Sequence, residues 1–465
     1  MTQNNPGARP RWRRRCLRSP KVGLVVAICL LLSLAMRCRV FAQSLTGNQA
    51  VGSLLVSPTD QSPVSVPEPS AIAIRWYQSG NVLWIVTEVW TLAVLALLLF
   101  TGLSAKIRNW ANRLGRTWPL RVGAYLILFL LFMLVGNLPL SYYAGYVRPH
   151  AFGLSNQGLG RWFESVLKSL VVPNMQFPPF QVPGLLLGSL FFLLLFGFMR
   201  KSPTWWWLYA GLALLPLVFF GALIKPIWID PLLNEYGPLK DKSLESSILD
   251  LSKRAGIDGG RVFEVNMSRE TKSMDAKVVG FLGTERIVVW DTAVAGLEKA
   301  ELMTVLAHEM GHYVLGHVRN TLFVLSGLLF ATLGLVNWAA TPLIKRYKDQ
   351  LGFDRLGDIA SLPLILLLMN LSLLLLLPAY NAFLRHQEHE ADRFAVELTR
   401  ENHAAGTAFV KLTQSVLGMP RHGRIYTAWR DTHPSLGERL DFFNEYRPWQ
   451  TGQPLKYARF INTTP

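Results

Sequence analysis

The chain has 465 residues, 51% of them hydrophobic and only 17% charged, with a formal net charge of +17 and a mean hydropathy of +0.26. Its apolar residues come in long unbroken runs and not in helical stripes, which excludes a purely soluble multidomain protein and marks an integral membrane protein. All three cysteines, Cys16, Cys29 and Cys38, lie in the first forty residues, so neither a disulfide framework nor a thiolate metal site can be built in the rest. The excess Lys and Arg sits in short clusters beside apolar runs, where membrane orientation signals belong, and does not point to nucleic acid as a partner.

Seven segments are apolar enough to enter or cross a bilayer, against a need of about 20 residues per span: 22–36, 82–105, 122–147, 185–199, 205–224, 321–343 and 359–383. The first is flanked by "RPRWRRRCLRSPK" and "VFAQS", which are the basic and small-residue parts of a secretory signal with cleavage after Ala42. Arg37 and Arg39 in the cleavage region argue for a retained anchor, so residues 1–42 are read as one or the other. Residues 43–72 are rich in Ser, Pro, Val and Gly and read as an exposed linker, which the domain division extends over 43–81. The remaining division is a bundle over 82–224, a polar insert over 225–320, two further spans over 321–383, and a C-terminal part over 384–465.

The basic N-terminus predicts an inside start. The basic loops "SAKIRNWANRLGRTWPLR", "RKSPT" and "KRYKDQLGFDR" then alternate to the inside, while 43–81 and 148–183 carry fewer Lys and Arg per residue. Segments 225–320 and 384–465 are therefore expected on the outer face of a bacterial inner membrane. Glu88, Asn137, Asn337 and Asn370 interrupt the apolar runs; facing lipid would be costly, so they are expected to face the bundle interior.

The insert reads as a folded α+β unit. Residues 244–255 predict an amphipathic helix stopped by Gly256, "RVFEVN" and "AKVVGFLGTERIVVW" predict strands with a turn around Gly283, and 297–317 predicts a helix. That last helix carries "LAHEMGHYVLGH". On a helix, His308 and His312 stack one turn apart, and Glu309 is displaced by one position toward the space between them and a reacting water. The pentapeptide alone is suggestive, since roughly one protein of this length in a hundred carries it by chance. A helix with solvated or capping histidines is the plainer alternative.

A catalytic metal of this kind needs a third protein ligand and an open position. "NAFLRHQEHEADRFA" supplies Glu388, with Asp392 four residues on along the same face, placed to orient a ligand histidine through its other ring nitrogen. His386 and Glu390 are two residues out of phase with Glu388, whereas His389 stays a rival ligand. The segment could also be only a charged helix surface. However, both halves of the site hang from membrane helices on one predicted face. His317, nine residues from His308, falls half a turn out of phase on a continuous helix and reads as supporting or structural.

"VLAHEMGHYVLGH", "NAFLRHQEHEADRFA" and "DTHPSLGERL" resemble the three signature blocks of the type I CAAX prenyl endopeptidase family, membrane-embedded gluzincin metalloproteases. "PIWIDPLLNEYGPL" and "VVGFLGTERIVVWDT" are similar to that family's entry to the catalytic domain and its substrate-side hairpin. The resemblance runs over about residues 82–445. It implies an α-helical membrane bundle of about seven spans enclosing a chamber, joined to a mixed α+β gluzincin-type domain. It also implies Zn²⁺ held by His308, His312 and Glu388, Glu309 as general base, Asp392 as an orienting acid, His433 stabilising an oxyanion, and Arg439 supporting the site. His433 also reads as a plain loop histidine.

The sequence departs from that family in three respects. "YVRPHAFGLSNQ" lacks the acidic residues usual there, Asp275 stands where asparagine is expected, and the Lys and Arg pattern places the site outside, whereas eukaryotic members process cytosol-facing prenylated tails. The expected partners are peptide or protein substrates, lipidated ones among them, and the lipid bilayer. A heat-shock-type membrane zinc protease is an alternative with fewer spans. A silent channel or scaffold with a structural metal is another, although such a site needs no free Glu309. A site-two-type intramembrane protease is excluded by the charges around the motif.

Overall fold

The computed structural model describes residues 62–171, 175–177, 180–182, 185–224, 234–258, 260–280 and 285–462. The first apolar segment, the Ala42 junction, the turn around Gly283 and most of "PIWIDPLLNEYGPL" lie outside the described residues.

The helices of the apolar half are α1 (Ala71–Phe100), α2 (Leu103–Leu114) and α3 (Trp118–Tyr142), the last continuing through a π-helical turn, Tyr143–Val147, and one more α turn, Arg148–Ala151. Then follow α4 (Leu159–Val171), the small hairpin β1 (Met175–Phe177) and β2 (Phe180–Val182), α5 (Leu185–Lys201) and α6 (Trp206–Ile224). Among the described residues, four helices are long and apolar enough to cross a membrane: Ala71–Phe100, Trp118–Ala151, His317–Leu351 and Ile359–Thr399. The apolar α5 and α6 pack on each other but are shorter, and Pro216 lies inside α6.

α1 corrects one boundary. Residues 71–81, expected as the end of an exposed linker, form its first turns, because Ser70 Oγ accepts the Ala73 amide at 3.2 Å and caps the helix. The mixed polar character of "AIAIRWYQSGN" hid that start from a hydropathy reading.

Three of the four polar residues in the apolar runs, all four of which are half-buried, make hydrogen bonds of two kinds. Asn337 accepts the Trp206 indole N–H at 2.7 Å and so ties α6 to the helix of Asn337. Asn137 and Asn370 donate instead to the carbonyls of Met133 and Leu366 one turn back, at 2.8 and 2.7 Å. Satisfied within their own helices, they need no partner across the bundle.

The second half is built on a four-stranded sheet of order β3-β4-β6-β5, from β3 (Tyr236–Pro238), β4 (Arg261–Val265), β5 (Ala276–Val279) and β6 (Arg286–Trp290). β4 and β6 are parallel and the two outer pairs antiparallel. The buried run Ile287, Val288, Val289 on β6 marks it as an inner strand covered on both faces. Short Tyr236–Pro238, with glycine and proline in it, offered no strand signal to sequence reading.

Helices α7 (Lys242–Arg254), α8 (Asp291–Gly296), α9 (Lys299–Val314), α10 (His317–Leu351), α11 (Leu362–Thr399), α12 (Asn402–Ser415), α13 (Arg424–Arg430) and α14 (Leu436–Glu445) complete the fold. α7 ends one residue before the predicted stop region, with Gly256 at φ +71°. One core joins the sheet to α7, α9 and α11 through Ile248, Ile287, Leu306 and Phe394. A separate core, with Leu98, Tyr125, Phe196 and Val336, holds the apolar helices together. α11 belongs to both: its apolar first part lies in the bundle and its polar end crosses the sheet half.

Candidate metal centre

The site forms where α9 crosses α11. α9 is held at its start by a capping box in which Glu298 and Glu301 satisfy each other's amides. The fully buried Glu301 carboxylate is further paired with Lys411 Nζ of α12 at 2.6 Å. At the crossing stands Gly311: a Cβ there would lie 3.1 Å from the Phe394 ring and 3.3 Å from Ala391 Cα. The missing side chain lets α11 approach, which is what carries Glu388 to the two histidines.

His308, His312 and Glu388 each offer a ligand atom, and these atoms lie within 4.8 Å of one another. The Nε2 atoms of His308 and His312 are 3.1 Å apart, and Glu388 reaches them with Oε2 at 3.2 Å and Oε1 at 3.3 Å. Tetrahedral ligands at zinc-type bond lengths of about 2.0–2.1 Å stand about 3.3–3.4 Å from each other, so these edges fit a first-row divalent ion. Buried Glu388 Oε2 has no hydrogen-bond partner of its own, which a metal would satisfy. His389 is not in this group, whereas Glu390 points away to Lys456 and Tyr457.

The other ring nitrogens are also engaged. His308 Nδ1 donates to Asp392 Oδ1 at 2.9 Å, which leaves its Nε2 lone pair free for a cation. Asp392 is fully buried and chelated by Arg439, whose Nε donates to Oδ2 at 2.9 Å and whose Nη2 donates to Oδ1. The Arg439 guanidinium in turn lies 3.5 Å from the Phe409 ring centroid. A contact between an aromatic ring on α12 and an arginine on α14 has no sequence signal, and the place of Phe409 was not foreseen.

His317 was misread. Gly316 adopts φ +69°, so α9 stops at Val314 and α10 starts afresh at His317. The break swings His317 Nδ1 to 2.9 Å from His312 Nδ1. The helical phase that put it half a turn away assumed a continuous helix.

Glu309 lines the same cavity, whose volume is about 860 Å³, with no hydrogen bond to a protein group among the described residues. Burial pushes its carboxyl up to about 7; His308 offsets part of this and the Asp275 carboxylate adds to it. Asp275 is itself raised by burial and accepts the Ala276 amide at 2.9 Å. His433, in the loop before α14, brings Nε2 to 3.4 Å from Glu388 Oε1 and remains 61% exposed toward the cavity.

The chain matches the model of peptidase family M48 over residues 238–447 and that of the "CAAX prenyl protease N-terminal, five membrane helices" over 79–235. It is 32% identical to the uncharacterized metalloprotease YhfN of Bacillus subtilis (strain 168), over 85% of this chain and 90% of that one. The chain belongs to the CAAX prenyl protease branch of peptidase family M48. It is also 30% identical to a CAAX prenyl protease 1 homolog of Dictyostelium discoideum, over 66% of this chain and 68% of that one. The crystal structure of S. mikatae Ste24p shares its fold, with a TM-score of 0.66 at 23% identity, covering 79% of this chain and 87% of that one. This M48 protein is an integral membrane metalloendopeptidase with a helical, Ste24-like fold and a small mixed sheet.

Proposed function

We propose that this M48 protein is a zinc endopeptidase of gluzincin type with about seven spans, working at the outer face of a bacterial inner membrane on peptides and membrane-associated proteins, lipidated ones among them. The observation that carries the reading is Glu309: an unpartnered carboxylate in the cavity, next to three converging ligand atoms. A purely structural metal site would not need it. The distribution of Lys and Arg supports the outer face, and the names of the CAAX prenyl protease relatives support lipidated substrates.

Zn²⁺ held by His308, His312 and Glu388 would supply Lewis-acid polarisation of a peptide carbonyl and a water nucleophile near neutral pH. Glu309 takes the proton of the attacking water and delivers it to the departing amine. His433, exposed to the cavity, donates to the carbonyl oxygen as charge develops on it. Asp392 holds His308 in one tautomer, and Arg439 keeps Asp392 ionised and in place. Among the described residues β5 is the edge of its sheet, so its outer side can hold an extended substrate through main-chain bonds, which read no side chains and leave selectivity broad.

The test is incubation of the purified chain with an unfolded peptide library, with products read by mass spectrometry before chelation, after chelation and after zinc is restored. Internal cleavages that vanish and return with zinc support the proposal. Cleavage indifferent to chelation would overturn it.

A further inference from the structure

The wall of the cavity away from the ligands carries two arginines that the proposed chemistry does not use. Arg148, 7% exposed, lies with its guanidinium 3.3 Å from the Trp76 ring centroid and donates to the Trp76 carbonyl at 2.6 Å and to Ser79 Oγ. Arg430 donates to Asn81 Oδ1 and lies 4.5 Å from the Tyr426 ring centroid. Both face Gly80, whose absent Cβ would stand 3.0 Å from Arg148 Nη2 and 4.0 Å from Arg430 Nη2.

Among the described residues no carboxylate pairs with either guanidinium. The acids that share this part of the wall are taken: Glu270 is paired with Arg161 and Arg269, and Asp431 with His422 at 2.7 Å. Arg148 is buried and Arg430 half-buried, and positive charge drawn out of water without a counter-ion is unfavourable; with Arg148 Nε and Nη2 held by Trp76 and Ser79, its Nη1 and Arg430 Nη2 are the donors left for an anion.

The chain path says which anion. Residues Ser273, Met274 and Asp275 line the cavity just before β5 begins at Ala276. Further back, Thr271 bridges to Ser155, and the Asn156 amide donates to the Glu270 carbonyl at 3.1 Å. The loop of Ser155 follows directly on the turn Arg148–Ala151. The wall thus runs from the start of β5 back to Arg148. A substrate strand added antiparallel to β5 has its carboxyl-terminal end at the start of β5, and so points toward the two arginines.

We propose that Arg148 and Arg430, facing across Gly80, bind a carboxylate carried on the carboxyl-terminal side of the scissile bond. This rests on the peptidase reading above. The carboxylate is either the chain terminus or an Asp or Glu side chain near it.

The test uses the full-length, zinc-loaded Glu309→Gln chain in uncharged detergent free of phospholipid, so that binding is read without turnover. Three fluorescent versions of one peptide are compared: free carboxyl terminus, C-terminal amide, and amide with a Glu placed near the end. The neutral amide is expected to bind about ten- to a hundred-fold more weakly than one or both of the others, and which of them binds tightly identifies the source. Adding Arg430→Gln or Gly80→Ala is expected to abolish the difference while leaving amide binding in place. Arg148→Gln is the less informative variant because it also strips the bonds that hold α1. Equal binding of all three peptides, or full discrimination in both added variants, would overturn the proposal. Hydrolysis by the unsubstituted chain is scored separately: discrimination without cleavage would sink the peptidase reading and with it the placement beside a scissile bond, leaving only carboxylate binding by the two arginines, whereas cleavage without discrimination would sink this proposal alone.

Discussion

His312 and His317 face each other across a helix break, Nδ1 to Nδ1 at 2.9 Å. For His312 Nε2 to present a lone pair to a cation, its Nδ1 must carry the proton and His317 Nδ1 must accept it. On the proposed ligand set, His317 is therefore an orienting partner of one ligand, as Asp392 is of the other. His317→Ala is expected to weaken zinc affinity about ten- to a hundred-fold, whereas His317→Asn, which keeps an acceptor, should recover part of it. Competition with a calibrated chelator measures both; unchanged affinity in His317→Ala would refute the role.

Gly311 sets the approach of α9 and α11. Gly311→Ala places a methyl 3.1 Å from Phe394, and the helices must separate by tenths of an ångström. The expected cost is about 1–3 kcal/mol of stability, with a loss of zinc affinity because Glu388 retreats. Thermal unfolding with and without zinc separates the two effects. A variant as stable and as metal-tight as the parent would show that the crossing has slack.

Much of this centre was legible because its information is periodic. His308 and His312 one turn apart, and Glu388 and Asp392 one turn apart, need only two helices to face each other. The misses came where backbone geometry departs from a period. Gly316 was a visible stop signal, yet the continuing apolar pattern suggested one helix through His317. The start of α1 at Ala71 rests on a serine cap within a segment of mixed polarity. Arg148 and Arg430, 282 residues apart in sequence, meet only through the packing of α1 between them. The shorter α5 and α6 show why seven apolar runs do not translate directly into seven long helices.

As the proposed base, Glu309 works only when ionised, so kcat/KM is expected to rise as pH climbs through about 7. The neighbouring Asp275 carboxylate opposes that ionisation. Asp275→Asn removes a negative charge, makes loss of the proton easier, and should move the rising limb to lower pH. A limb that stays put or moves up would contradict the coupling.

The proposed orientation rests on the basic loops. An alkaline phosphatase fused after the C-terminus is expected to be active in a bacterial host, and a green fluorescent protein at the same point dark. The reverse pattern would put the site in the cytoplasm and overturn the charge argument.

The central claim is that His308, His312 and Glu388 hold the metal while Glu309 performs the proton transfer. It is tested most directly by measuring zinc per chain and peptide cleavage together in the parent, Glu309→Gln and Glu388→Ala proteins. The account predicts one zinc in the parent and in Glu309→Gln, cleavage slowed about 10²–10⁴-fold or more in the latter, and metal largely lost from Glu388→Ala. Full zinc in Glu388→Ala, or undiminished cleavage by Glu309→Gln, would contradict it.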